Sequence, residues 1–242
     1  MEKHRTALVY YGGKGMLARK YPKPYYKKII EPFAGGAAYS LLYYNNDVTL
    51  IDQNPELISA WEFIQNPDLE QLNRIPQKIK PGTKVKSLGS FSRGFEFILR
   101  AAANVGCAGK NAKIETITSF GAIHFYMNSV AKIIYWTDKI KHWKFICGSY
   151  DDFKFEEATY FFDPPYQNAA GARYKYSAKN INYNKLKMHI KTLNGQIIIT
   201  ESMNSKWIHE FKKNDLGLCR STNPAHMSPK RNRECFIEKY QQ

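Results

Sequence analysis

The chain has 242 residues, enough for one domain, or one domain with an insertion, around a sizeable core. Its 36 Lys and Arg outnumber its 21 Asp and Glu to give a net charge of +15, which points to polyanionic partners such as DNA, RNA or an acidic membrane surface. No apolar run approaches the roughly 20 residues of a membrane span, and the polar N-terminus leads into no secretory signal, so neither is expected.

The four cysteines, Cys107, Cys147, Cys219 and Cys235, are far apart and form no C-x-x-C pair. That spacing argues against a zinc site and against a disulfide framework, and they read as reduced thiols. Cys147 and Cys235 lie in apolar runs and are expected in the core. The 17 Tyr and 14 Phe are interleaved with basic residues, a composition suited to stacking on bases. Charge and aromatics together put nucleic acid ahead of mere solubility.

In chain order, residues 7–12 begin apolar and run into Tyr10-Tyr11-Gly12-Gly13-Lys14-Gly15. Three glycines around a lysine let backbone amides approach an anion. The spacing is not that of a P-loop, and from six residues alone a plain turn is the simpler reading. After a basic linker with Pro22 and Pro24, Ile29-Ile30 opens a strand that ends Glu31-Pro32-Phe33-Ala34-Gly35-Gly36-Ala37-Ala38, and residues 39–44 read as a helix. Strand, glycine turn and helix make the first crossover of a doubly wound sheet. A second strand, residues 48–52, ends in Asp52, where a carboxylate can accept from ribose hydroxyls. Asp52 also suits a helix N-cap, because Asn54-Pro55-Glu56 starts a helix next door; Asp52 and Asn54 can divide the two tasks.

Residues 66–142 hold too much for one crossover: a Ser- and Gly-rich loop at 87–94, helical spacing over 95–103, a glycine- and lysine-rich turn at 106–113 and a mixed stretch over 117–134. They read as a mainly helical inserted lobe. The sheet resumes at 143–147, followed by Gly148-Ser149-Tyr150-Asp151-Asp152. Residues 158–162 form a buried strand that stops at Asp163-Pro164-Pro165-Tyr166. A long tyrosine-rich loop, a helix over 183–193, a strand over 196–201, a short helix around Trp207 and a strand over 234–240 complete the chain. Trp136, Trp143 and Trp207 are expected to pack, and His124, His189, His209 and His226 show no metal spacing.

The Asp-Pro-Pro-Tyr corner carries the most specific chemistry. An amine on an aromatic ring is a poor nucleophile because its lone pair is delocalised. Asp163 offers a carboxylate and Pro164 a carbonyl, an acceptor pair that can draw the nitrogen toward sp³ geometry. Tyr166 offers a ring to stack on the base, and Pro165 stiffens the corner. A base in a duplex would have to be flipped out to reach it. Taken alone, the motif is equally a rigid turn closing a strand.

In its motifs and their order the sequence resembles the Dam-type N6-adenine DNA methyltransferases, which use S-adenosylmethionine. Tyr10-Tyr11-Gly12-Gly13-Lys14 resembles the loop holding the methionine end of that cofactor, Glu31-Pro32-Phe33-Ala34-Gly35-Gly36 the cofactor-binding glycine turn, Ile51-Asp52 the ribose-binding acid, and Asp163-Pro164-Pro165-Tyr166 the catalytic motif. The resemblance implies that Asp163, Pro164 and Tyr166 are catalytic. It implies that Tyr10, Gly12, Lys14, Phe33, Gly35, Gly36, Asp52 and Asp163 bind the cofactor, with Lys14 on its carboxylate. Two departures stand out: Ala37 occupies a position where many relatives have glycine, and Ser149, Tyr150, Asp151 and Asp152 all compete for the place of an acid that contacts the cofactor adenine. The implied fold is α/β, a Rossmann-like methyltransferase sheet, mostly parallel, with an antiparallel strand near the C-terminus. Residues 1–65 and 143–242 would form the catalytic domain and 66–142 a target-recognition lobe. The expected partner is double-stranded DNA, without metal or membrane, for a cytoplasmic, prokaryotic or phage-encoded protein that is monomeric when free. Alternatives with other substrates are RNA or a protein glutamine; an inactive DNA-binding module is the alternative of another class.

Overall fold

The computed structural model describes residues 6–103, 116–152, 156–168, 171–173, 176–219 and 232–241. Within them seven strands form one sheet: β1 (Lys28–Pro32), β2 (Asp47–Asp52), β3 (Lys144–Cys147), β4 (Ala158–Phe162), β5 (Gly195–Ser202), β6 (Asn214–Cys219) and β7 (Asn232–Gln241). Their spatial order is 3-2-1-4-5-7-6. β1 to β5 are parallel, and β7 runs antiparallel between β5 and β6. The helices are α1 (Ala38–Leu42), α2 (Pro55–Gln65), α3 (Leu69–Asn73), α4 (Arg93–Ala103), α5 (Ser119–Asn128), α6 (Val130–Trp136) and α7 (Tyr183–Thr192).

The unbroken apolar character of the central strands follows from burial on both faces. Side chains alternate across a strand. Ile29, Leu50, Phe161 and Ile198 therefore join one core, with α1, α2 and the helices of residues 66–142. Ile30, Ile51, Tyr160, Phe162, Ile197 and Ile199 join the other, with α7 and Trp207. Tyr39 of α1 stacks on Phe161 with ring centroids 4.4 Å apart, which fixes α1 over β4. Burying one such ring contributes about 2–3 kcal/mol.

The described part of residues 66–142 is mainly helical, with loops and a Lys84–Thr116 bridge between its helices, and it shares the first core. Phe63 of α2 stacks on Phe95 of α4 at 4.6 Å. Gly94 permits this approach: a Cβ there would lie 2.0 Å from the Ser59 carbonyl oxygen. The Gln65 side-chain amide donates to the carbonyls of Ile140 and Trp143, tying the end of the segment back to α2. The glycine- and lysine-rich turn expected at 106–113 lies outside the described residues.

Three differences from the sequence reading have physical causes. β6 was not expected; it is a short edge strand with a left-handed Gly217, and its sequence shows no alternation. Cys147 is exposed rather than core, because β3 is the opposite edge of the sheet and mostly uncovered, whereas Cys235 is fully buried. The short helix expected around Trp207 shrinks to a single 3-10 turn, Lys206–Ile208. Trp136, Trp143 and Trp207 are buried, as packing residues should be.

The arrangement positions one site. From β1 the chain crosses through α1 to β2 on one side, while β4 lies on the other. The order reverses between β1 and β4, and an open α/β sheet has its ligand crevice at the carboxyl ends of such strands.

Candidate functional site

The turn after β1 reverses the chain within five residues. Phe33, Gly35 and Ala37 have φ of 62°, 47° and 46°, all in the left-handed region. Glycine takes this conformation freely, whereas Phe33 and Ala37 each carry about 1–2 kcal/mol of strain. Neighbours hold the turn in place. Trp61 Nε1 donates to the Gly35 carbonyl at 3.1 Å, the Ala34 amide donates to the Ile51 carbonyl at 3.0 Å, and the Gly35 amide donates to Asp52 Oδ2 at 3.3 Å. Gly35 and Gly36 lie beneath Tyr10. A Cβ at Gly35 would sit 3.1 Å from the Tyr10 ring, so the missing side chains make room for the N-terminal loop.

At the end of β2, Asp52 Oδ1 accepts from the Asn54 amide at 2.9 Å, and Asn54 Oδ1 accepts from the Glu56 amide at 3.2 Å to cap α2. The two residues divide the work: Asn54 caps, and Asp52 braces the glycine turn. Each Asp52 oxygen retains capacity for a further donor. Burial pushes the Asp52 carboxyl up to about 6, against the opposing pull of the Asn54 and Gly35 amides.

At the end of β4, Lys14 and Asp163 meet across 149 residues of sequence. Lys14 Nζ lies 3.0 Å from Asp163 Oδ2 and donates to the Gly12 carbonyl at 3.0 Å. The same ammonium sits 4.7 Å from the centroid of the Tyr166 ring. Lys14 is 8% exposed and Asp163 21%. Burial opposes the lysine's charge, but Asp163 and Glu234 outweigh it and hold the ammonium above its ordinary range. Burial raises Asp163 above the usual carboxylate range, with Lys14 pulling the other way. The corner is braced from behind. The Pro165 carbonyl accepts from the Tyr183 hydroxyl at 2.5 Å, and the Tyr166 hydroxyl shares Thr200 Oγ1 with Tyr21 at 3.0 and 3.1 Å. Gly171 presses on the Tyr166 backbone, where a Cβ would fall 1.8 Å from the carbonyl oxygen.

These elements enclose a cleft of about 910 Å³, counting its open mouth. Tyr10, Gly12, Lys14, Phe33, Gly35, Gly36, Asp52 and Asp163, separated by up to 153 positions, all line it. Pro164 and Tyr166 do not: both are buried behind the lining, and it is Pro165 that faces the cleft. Among the four residues that competed after β3, Tyr150 reaches the cleft, with its ring stacked on Phe33 at 5.5 Å. Asp151 is paired with Lys185 at 2.5 Å, and Asp152 Oδ2 accepts from the Ser149 amide at 2.5 Å.

Sequence reading gave no role to Glu31. It sits 2% exposed on β1 at the floor of the cleft and accepts from the Ser40 amide and hydroxyl at 3.2 and 2.5 Å. Burial lifts its carboxyl to about 8 despite these donors. A carboxylate directly after Ile29-Ile30, in the buried part of a strand, was the signal for it. Arg233 of β7 is ion-paired with Asp215 of β6. Among the described residues no group of three or more His, Cys, Asp or Glu is placed to hold a metal, and no helix is long and apolar enough to cross a membrane. No protein-family model matches the chain, and no curated protein matches it in sequence.

Proposed function

We propose that this chain transfers the methyl group of S-adenosylmethionine to the N6 amine of adenine in DNA. One observation carries the reading: a single crevice at the sheet's switch point joins Lys14, Asp52 and Asp163, a cation and two carboxylates drawn from three distant parts of the chain. The sheet supports it too, since its one reversed strand lies near the C-terminal end of a parallel array, as the resemblance anticipates.

The cleft's residues suit that cofactor. Asp52 keeps free lone pairs for a vicinal diol, Lys14 can neutralise a carboxylate, and Phe33 and Tyr150 present flat surfaces for a purine. The cofactor would supply an electrophilic methyl group on a cationic sulfur. Asp163 would accept an N–H of the target amine and draw the nitrogen lone pair out of the ring plane. As the new N–C bond forms, the nitrogen sheds one proton, and Asp163, already raised by burial, is the group positioned to receive it. The basic surface, +15 overall, suits the phosphate backbone that must be gripped while a base is flipped.

The deciding experiment incubates the protein with labelled S-adenosylmethionine and adenine-methyl-free genomic DNA, then sequences the product to map modified adenines. Methyl incorporation at N6 of a recurrent site is expected. With Asp163→Asn, transfer should fall at least a thousandfold while cofactor binding changes less than about threefold. No incorporation by a wild-type protein that binds the cofactor would sink the enzymatic reading.

A further inference from the structure

Lys14 occupies the position that a substrate amine should take. Its nitrogen is 3.0 Å from the acceptor oxygen of Asp163 and 4.7 Å above the face of Tyr166, an N–H donor against the carboxylate with a ring alongside. The proposed chemistry puts the adenine N6 amine on that same carboxylate. It also puts Lys14 on the carboxylate of the cofactor. Lys14 Nζ and the substrate amine cannot both take that place on Asp163.

We infer that Lys14 is an internal stand-in for the substrate amine, which blocks Asp163 until the cofactor's carboxylate draws it away; the inference rests on the function proposed above. The electrostatics of the exchange balance. Asp163 is only partly exposed, and stripping such a carboxylate of the cation beside it is costly. Lys14 could not leave unless another positive charge arrived, and the α-ammonium of the cofactor's amino-acid end, which S-adenosylhomocysteine keeps and methylthioadenosine lacks, would be one. Lys14 is also buried and could not leave without a new anion. A ligand carrying both charges releases both partners together. A ligand lacking the carboxylate leaves Lys14 in place, even though it still fills the nucleoside part of the cleft. The hinge for the movement is at hand: Gly12, Gly13 and Gly15 flank Lys14, and Gly12 is already left-handed at φ 74°. The consequence is an obligatory order, cofactor before base.

The test uses a duplex with 2-aminopurine at the mapped target adenine, whose fluorescence rises on extrusion from the stack. Wild-type protein alone should give no rise. S-adenosylhomocysteine, which keeps the carboxylate, should restore a several-fold rise, and methylthioadenosine, which lacks it, should not at saturation. This comparison needs no variant. K14M should give the rise with no nucleoside present and bind S-adenosylhomocysteine roughly tenfold more weakly. A rise with wild-type protein alone, or with methylthioadenosine, overturns the inference, as does a K14M protein that still needs S-adenosylhomocysteine. These outcomes leave methyl transfer by the wild type intact, so they remove the latch alone. Absence of transfer by the wild type removes the latch and the proposed function together.

Discussion

Asp52 carries a carboxyl that titrates at about 6, close to working pH, because it is buried beside two amides that only partly compensate. In its ionised form it can accept from two ribose hydroxyls; protonated, it loses acceptor strength. The sign follows: affinity for S-adenosylhomocysteine should be level above pH 7 and decline as pH falls through 6, approaching tenfold per unit. Calorimetric titration from pH 5 to 8 measures this. Asp52→Asn should bind more weakly at pH 8 and show a flatter profile; an unchanged profile would remove Asp52 from the diol. The role of Asp52 was legible in the sequence because a carboxylate ending a second strand has few other duties. That of Tyr150 was not, since four polar residues in a row offer no pattern. Only the side-chain partners of Asp151 and Asp152 show that Tyr150 alone faces the cleft. Tyr166 illustrates a different limit. Its motif was readable, but its withdrawal behind Lys14 depends on a contact between residues 152 positions apart.

At the scale of elements, α2 is the beam against which both halves of the fold lean. It caps on Asn54, pins the glycine turn through Trp61 and receives α4 at Gly94. Backbone meets backbone at that crossing, so no rotamer change can relieve an added methyl. Gly94→Ala should therefore lower unfolding stability by about 2–3 kcal/mol, read as a shift in the urea midpoint. A neutral result would mean that α4 does not pack on α2 as closely as described. The strands and the long helices α2, α4 and α7 could be read from period and caps, within a residue or two. β6 could not, because an edge strand with glycine at a bulge has neither apolar alternation nor β-branched residues to announce it.

For the molecule as a whole, the buried acids invert the usual dependence of stability on pH. Glu31, Glu201 and Asp52 are raised from 4.5, 4.5 and 3.8 to about 8, 7 and 6, with burial the leading cause each time. A carboxyl raised by folding contributes fully below its unfolded value, and the contribution is lost as pH climbs through its folded value. The ligand-free protein should thus be most stable near pH 4–5 and weaken toward pH 8, as measured by chemical denaturation at about 0.15 M salt, where surface repulsion is screened. Glu31→Gln should recover a few kcal/mol at pH 8 and little at pH 4.5. Stability rising with pH over this range would show that these carboxyls stay ionised in the folded state.

The reversed strand has a consequence for how the molecule is built. β6 reaches the sheet only through β7, although β7 follows it in the chain. On a ribosome β6 must therefore wait, unpaired, while β5 exposes a long edge, until the ten residues of β7 slide in between them. Order of synthesis and order of assembly part company there, and the interval in which β5 stands open is when this chain is most vulnerable to pairing with a neighbour.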